Sequence, residues 1–308
     1  MAIIEVLFPV LAMLALGMFC RKMQFLTGEQ VNGLKFLTAK VILPVAIFHA
    51  LATADYSLGT LKIVAIMLIM LVVSFSAGFL MKKLVKPPHQ KYVPFLVSIY
   101  EGGLMAYPLY TNLCGAENLS QMALLDIAGL IFGFSIYMGM LSQVEEKNGI
   151  DVKKLCTDCL HNPAFLASVF GILAGVSGVI KMLIDSPFGT IYTDTQALLT
   201  APLSSIILLV VGFGLEPKLE LLGPCLQTIF LRVALQVVMT VGVVWAVHHF
   251  TEANPLMDLA IIIYMSAPPS FSMQSFMKNE AACAFVSTIN SLYCLISILV
   301  YGICAVFI

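Results

Sequence analysis

Apolar residues recur along this chain in long continuous runs that are separated by short polar connections. The runs do not alternate between apolar and polar positions, so they predict helices and not strands. A helix needs about 20 apolar residues to cross the hydrocarbon core of a bilayer. We therefore predict ten membrane-spanning helices, at residues 3–20, 32–53, 59–81, 92–113, 118–142, 163–184, 194–215, 225–249, 256–277 and 281–306.

The composition agrees with a chain that is surrounded mostly by lipid. Only 11% of the residues are charged and 60% are hydrophobic, whereas a soluble domain carries about 25% charged residues. In lipid, the backbone must satisfy its own hydrogen bonds, which leaves helices as the structure for continuous apolar runs. The expected fold class is an all-α polytopic membrane protein. A formal net charge of −1 argues against a nucleic-acid partner and leaves the lipid bilayer and a small-molecule substrate as expected partners.

The longest polar connection, residues 143–162, divides the chain into residues 1–142 and 163–308, with five predicted spans each. Basic residues concentrate in the connections that follow odd-numbered spans, which hold Arg21, Lys22, Lys82, Lys83, Lys86, Lys91, Lys147, Lys153, Lys154, Lys218 and Lys278. The positive-inside rule places these connections in the cytoplasm and both termini outside a cell membrane, plasma or inner. Two halves with five spans each would form an inverted repeat.

Two predicted spans break the rules of helix composition, and each is the fourth of its half. Span 4 contains the stretch YEGGLMAYPLY at residues 100–110, and span 9 contains MSAPPSFSMQSF. Proline removes a backbone donor and glycine loosens a helix. Matching interruptions in two halves are the best sequence indication of a transporter's substrate site. We predict that the two broken helices cross and that their polar and helix-breaking residues bind the substrate: Glu101, Gly102, Gly103, Tyr107, Pro108, Pro268, Pro269, Ser270 and Gln274.

Ionisable residues inside spans are expensive to bury and therefore functional candidates. Glu101 is the first candidate for ion coupling, and the alternative is a carboxylic acid that caps a neighbouring helix. Asp126 is either a coupling group or a structural partner of a hydroxyl group. Lys40 either neutralises one of these acids or extends its ammonium group toward the cytoplasm.

Other polar residues receive structural interpretations. Arg232 is expected to extend toward the cytoplasm, and Asn290 is expected to form an interhelical hydrogen bond. Cys156 and Cys159 form a C-x-x-C motif near His161, which favours ordinary loop cysteines over a metal or redox site because zinc needs four ligands. We expect no metal and no cofactor other than a coupling ion, H⁺ or Na⁺.

Four stretches make the chain resemble the auxin efflux carrier family, which includes plant auxin exporters and bacterial carriers of malonate or malate. These stretches are GLKFLTAKVILPVAIFHALA (33–52), GGLMAYPL (102–109), APLSSIILLVVGFGL (201–215) and SAPPSFSMQSFM (266–277). The resemblance covers nearly the whole chain. It implies ten helices in two inverted repeats, with spans 3–5 and 8–10 as a transport domain and spans 1, 2, 6 and 7 as a scaffold.

The chain departs from the family's pattern at the interruption of span 4. Glu101 stands where the family has an asparagine, which helps to hold the substrate's carboxylate in plant members, Gly102 replaces Thr or Ser, and Ala106 replaces Gly. A carboxylate repels an organic anion. Glu101 is therefore a protonated donor whose proton is coupled to transport, or a ligand for Na⁺ or another cation, or else the substrate is neutral or cationic.

The sequence thus favours a secondary transporter that moves a small organic acid or similar metabolite by alternating access, through an elevator-like or rocking movement. The alternative is a membrane sensor that binds a ligand or lipid without transporting it. An enzyme is disfavoured because the sequence has no H-E-x-x-H or G-x-S-x-G motif. The substrate, the coupling ion and the direction of transport stay open, as does assembly into a homodimer.

Overall fold

A computed structural model describes residues 2–146, 153, 157, 160–215, 219–271, 273, 277 and 279–306. Within these residues the chain is helical and contains no strand. The helices are α1 (Ala2–Lys22), α2 (Gly28–Ala52), α3 (Leu58–Leu84), α4 (Val93–Ser98), α5 (Tyr107–Cys114), α6 (Ala116–Leu141), α7 (Pro163–Ser177), α8 (Val179–Ile184), α9 (Gly189–Gly214), α10 (Leu222–Phe250), α11 (Pro255–Met265) and α12 (Glu280–Cys304). A multi-pass membrane protein therefore agrees with the structure.

Each predicted span overlaps at least one of these helices. Six of them, α2, α3, α6, α9, α10 and α12, are long and apolar enough to cross a membrane by length and composition. The ten-span count, the division at residues 143–162 and the inverted repeat stay predictions. Predicted span 6 is divided into α7 and α8 at Gly178, whose φ of +70° lies in the left-handed region that glycine tolerates.

Large apolar side chains cover the outer surface of α10. Phe230, Val241 and Trp245 are each about two-thirds exposed or more in the isolated chain, at 71%, 67% and 66%. An apolar surface of this extent on a water-soluble monomer would be an aggregation hazard. Lipid is the environment that such a surface fits.

The interior side of the bundle contains a cluster of aromatic rings where α3, α4 and α6 meet. The ring of Phe75 lies edge-on to Phe95 and Phe132, with centroids 5.4 and 5.6 Å away. Tyr137 packs edge-on against Phe95 and donates its hydroxyl to the Phe95 carbonyl at 3.3 Å. This cluster holds the short helix α4, which leads into the interruption of span 4.

Two helix pairs pack at close range through glycines. In the α1–α9 pair, a Cβ atom added at Gly212 would lie 2.2 Å from the carbonyl oxygen of Leu14, and one at Gly17 would lie 2.2 Å from that of Leu209. In the α2–α7 pair, a Cβ atom at Gly171 would lie 3.0 Å from the carbonyl oxygen of Phe48. Small residues let helix backbones approach in this way inside membranes.

We expect Gly212→Val to destabilise the α1–α9 pair, because its new side chain meets backbone atoms that cannot rotate away. Overpacking of this kind costs about 1–3 kcal/mol. Unfolding of the purified protein in detergent, by heat or by titration with SDS, measures the loss. Gly242→Val on α10 is the matched control, since a Cβ atom added at Gly242 would face open space. Equal losses for the two variants would contradict this account of the pair.

Candidate functional site

The interruption of span 4 lies at Ile99–Glu101, just before the two glycines. Ile99 has extended backbone angles, and Glu101 has φ −84° and ψ 85°. Gly102–Ala106 then form a π-helical turn that leads into α5, where Pro108 is in the first turn. The sequence predicted the break at the glycines and Pro108, and the structure has it a few residues earlier. The π-helical turn provides a place for Pro108, which has no N–H to donate.

The interruption of span 9 lies between α11 and Phe271, and it contacts the interruption of span 4 directly. The backbone N–H of Glu101 donates to the carbonyl oxygen of Pro268 at 2.8 Å. The two interrupted segments therefore meet at a backbone hydrogen bond, and the predicted crossing of two broken helices stays a prediction.

The carboxylate of Glu101 accepts a hydrogen bond from each broken segment. Its Oε1 accepts from the N–H of Leu104 at 3.2 Å, and its Oε2 accepts from the N–H of Phe271 at 2.6 Å. Leu104 belongs to the first turn after the break in span 4, and Phe271 follows the break in span 9. Glu101 is only 8% exposed. One acid therefore satisfies an N–H group from each interrupted segment, which a negative charge does well.

Arg232 on α10 donates hydrogen bonds to carbonyl groups of the same two interrupted segments. Its Nη1 donates to the carbonyl oxygen of Leu96, and its Nη2 donates to those of Ile99 and Ala267 at 3.0 and 2.8 Å. These carbonyls belong to the last turn of α4, the break in span 4 and the break in span 9. The guanidinium is fully buried, so the expectation that Arg232 extends toward the cytoplasm was wrong. The planar guanidinium has several N–H donors in fixed directions, so it can bond several backbone carbonyls at once.

Aromatic rings and a glutamine complete the surroundings of Arg232. Its Cζ lies 5.2 and 4.8 Å from the ring centroids of Tyr100 and Tyr293, within the range of a cation–π contact. Gln236, one turn further along α10, donates to the carbonyl of Val97 at 2.9 Å and accepts from the hydroxyl of Tyr100. Gln236 was not predicted as a functional residue, although a polar residue within an apolar run is a signal.

Asp126 on α6 accepts hydrogen bonds from two tyrosine hydroxyls. Tyr264 donates at 2.9 Å and Tyr107 at 3.3 Å. A Cβ atom at Gly102 would lie 2.6 Å from Oδ1 of this aspartate, so a larger residue there would push the carboxylate away from the two tyrosine hydroxyls that hold it. The structural alternative for Asp126, a partner of hydroxyl groups, is present in this geometry, and it leaves a coupling role open.

A cavity of about 370 Å³ lies beside the two interruptions, and the three proposed coupling residues Lys40, Glu101 and Asp126 all line it. Gly102, Gly103 and Ser270 line it as well, and it extends to Asn162 and Pro163 at the end of the long connection. The other described residues of the predicted site are buried and are not among the residues that line this cavity: Tyr107, Pro108, Pro268 and Pro269. Gln274, Cys156 and Cys159 lie outside the described residues.

A second, smaller cavity adjoins the same interruptions, and Leu104 lines both. Asn290 on α12 lines the smaller one, and neither its side-chain nitrogen nor its side-chain oxygen has a hydrogen-bond partner among the described residues. The expected interhelical hydrogen bond of Asn290 is therefore absent from the part of the chain that the structure describes. Among the described residues, no group of three His, Cys, Asp or Glu side chains is arranged to hold a metal ion.

Comparison with known proteins gives one family. A family model described as membrane transport protein matches residues 2–302, nearly the whole chain, and this match confirms the resemblance to auxin efflux carriers. No curated protein matches the chain.

We expect Arg232→Met to lower the free energy of unfolding by about 3 kcal/mol or more. The substitution leaves three buried carbonyls without donors, and each unsatisfied group costs about 1–3 kcal/mol. Arg232→Lys, which keeps the charge but not the fork, should lose less. Lys22→Met, at an exposed lysine that ends α1, is the control and should change stability by about 0.5 kcal/mol or less. If Arg232→Met and this control have the same free energy of unfolding, Arg232 does not stabilise the interrupted segments.

The adjacent glycines of the π-helical turn should respond differently to alanine. Gly102→Ala places a methyl group against the Asp126 carboxylate and should lower the unfolding temperature in detergent by several degrees. Gly103→Ala meets only the flexible Cδ2 end of Leu43, at 2.6 Å, and gains helix propensity, so its loss should be smaller or absent. Similar losses for the two variants would show that Asp126 does not determine the glycine at position 102.

Proposed function

Because the chain belongs to the membrane transport protein family, we propose that it is a secondary transporter that moves a small organic acid or similar metabolite by alternating access. The observation that carries this proposal is the carboxylate of Glu101, which joins the two interrupted segments at the wall of a cavity. Interrupted helices of this kind form the substrate and ion sites of many transporters. The proposal includes no enzymatic step.

In this proposal, α3–α6 and α10–α12 form the moving transport domain, and α1, α2 and α7–α9 form the scaffold. The contacts of Arg232 and Glu101 support the first group, since they tie α10 and both interruptions into one unit. The close pairs α1–α9 and α2–α7 support the second group. In an inverted repeat, α1 corresponds to α7 and α2 corresponds to α9. The α1–α9 pair and the α2–α7 pair would then be equivalent contacts of the two halves.

In this proposal, the coupling ion binds to the same Glu101 oxygens that join the two interrupted segments. Both oxygens of Glu101 accept backbone N–H groups. A proton that binds to one oxygen turns that acceptor into a donor, and Na⁺ competes with the N–H groups for the oxygen lone pairs. Either ion therefore changes how the two interrupted segments are joined. Asp126 and Lys40, on the same cavity, adjust the local charge during this exchange.

We further propose that the protein lies in a cell membrane with both termini outside. In this orientation the cavity with Glu101 and Asp126 extends toward the cytoplasm, because its lining reaches Asn162 and Pro163 at the end of the long connection, which the positive-inside rule places there. The structure then corresponds to an inward-facing form. A homodimer stays a possibility that the proposal does not require.

Flux measurements in proteoliposomes test the function and the role of Glu101 together. We expect saturable uptake of at least one small organic acid from a panel, with a rate that responds to an imposed H⁺ or Na⁺ gradient. Glu101→Gln should abolish that response and slow uptake at least tenfold, because its amide cannot accept both N–H groups and cannot bind the ion as a carboxylate does. Separate pH and Na⁺ gradients identify the coupling ion.

Lys22→Gln, at the exposed end of α1, controls for the loss of a surface charge. No saturable transport of any acid by the wild-type protein, under any gradient, would count against the proposed function. A Glu101→Gln variant that keeps the wild-type rate and gradient response would remove Glu101 from coupling and leave the transporter assignment standing.

A further inference from the structure

The smaller cavity, of about 180 Å³, differs in charge from the cavity that contains Glu101 and Asp126. Its polar and aromatic lining comes from Lys35, Phe271, Ser287, Asn290, Ser291 and Cys294. Lys35 is its charged residue, and no carboxylate is found among the described residues that line it. This cavity, which we call the Lys35 chamber, is therefore suited to a negatively charged group.

The unsatisfied amide of Asn290 indicates that the Lys35 chamber binds a ligand. The residue is 3% exposed, and both its amide nitrogen and its amide oxygen lack partners among the residues that the structure describes. A buried polar group that is left unsatisfied costs about 1–3 kcal/mol, whereas an apolar side chain of the same shape avoids this cost. A chain that keeps an amide here gains from it only when something in the chamber forms hydrogen bonds with it.

The Lys35 chamber is connected to the crossing of the interrupted segments. The ammonium of Lys35 lies 5.9 Å from the ring centroid of Phe271, and the backbone N–H of Phe271 donates to Glu101. Lys35 belongs to α2 in the proposed scaffold, whereas Asn290 belongs to α12 in the proposed transport domain. A ligand that bridges them would contact both domains.

We propose that the Lys35 chamber binds the carboxylate group of a small organic acid between Lys35 and Asn290. The ammonium pairs with the carboxylate, and the amide of Asn290 donates a second, charge-assisted hydrogen bond. The amide oxygen accepts from a hydroxyl or N–H group of the ligand where one is present, and Phe271 contacts the apolar part. This inference rests on the proposed function and assigns the substrate's carboxylate to the cavity that presents Lys35, whose described lining residues include no carboxylate. Glu101 lies next to this cavity, since Phe271 donates to it, and the ammonium of Lys35 offsets its charge.

The size of the Lys35 chamber limits the ligand. A cavity of about 150 Å³ holds one benzene molecule, so about 180 Å³ holds an acid of roughly that size or slightly larger. Propionate, succinate and benzoate cover this range and serve as probes. Their primary amides, propionamide, succinamide and benzamide, have nearly the same shape without the charge.

Isothermal titration of the full-length protein in lipid nanodiscs tests the inference. We expect at least one of the three acids to bind and its amide not to bind. Asn290→Leu should weaken that acid at least tenfold, while the unfolding temperature of the unliganded variant stays equal or rises, because an unpaired amide has been removed. Lys35→Gln should also weaken binding at least tenfold, and Lys35→Arg should restore most of it. Lys22→Gln is the control for a lost lysine charge.

The outcomes separate this inference from the proposed function. Wild-type affinity in both Asn290→Leu and Lys35→Gln, with transport intact, overturns the Lys35 chamber as the acid site and leaves the transporter standing. Equal binding of an acid and its amide overturns the carboxylate assignment. A wild-type protein that binds none of the three acids overturns this inference, and one that also transports no acid of the wider flux panel overturns both proposals. Because Lys35 is exposed, its variants keep the test valid even if Asn290→Leu folds poorly.

Discussion

Two opposite charges organise the interior of this protein. Interrupting two helices inside a membrane exposes N–H groups at the ends that resume and carbonyl groups at the ends that stop, and lipid cannot satisfy either kind. Glu101 accepts the N–H groups of Leu104 and Phe271, while Arg232 donates to the carbonyls of Leu96, Ile99 and Ala267. Each charge is matched mainly by backbone dipoles and not by a side chain of opposite sign. The interruptions, and the cavities beside them, depend on this arrangement.

If the chain moves organic acids as proposed, the two cavities would serve different parts of that transport. One presents the carboxylates of Glu101 and Asp126 and is suited to a cation, and the other presents Lys35 and the free amide of Asn290 and is suited to an anion. Leu104 lines both, and Phe271 connects Lys35 with Glu101. An ion in one cavity and a substrate in the other would therefore act on the same short stretch of backbone.

Much of this arrangement could be predicted from the sequence, because its signals are local. Glycine and proline in YEGGLMAYPLY and SAPPSFSMQSF indicate interruptions whatever surrounds them, and apolar length indicates helices. The exact break at Ile99–Glu101 was not predictable, since it depends on the partner carbonyl of Pro268. Arg232 was misread for the same reason: its distance from the end of a helix says nothing about the carbonyls that another segment brings to it. Asn290 was assigned a partner that the fold does not provide, and Gly102 was assigned to helix breaking although Asp126 occupies the space beside it.

The pairing of Glu101 with Arg232 also bears on the membrane potential. Moving one elementary charge through the membrane field is worth about 2.3 kcal/mol per 100 mV. The two residues lie on one unit, tied to the same pair of interrupted segments, so their opposite charges would cancel if that unit moved as proposed. The voltage across the membrane would then exert no net force on this pair. Any electrical work of such a movement would come from the other charges on the unit, such as Asp126, and from whatever ion or substrate is bound.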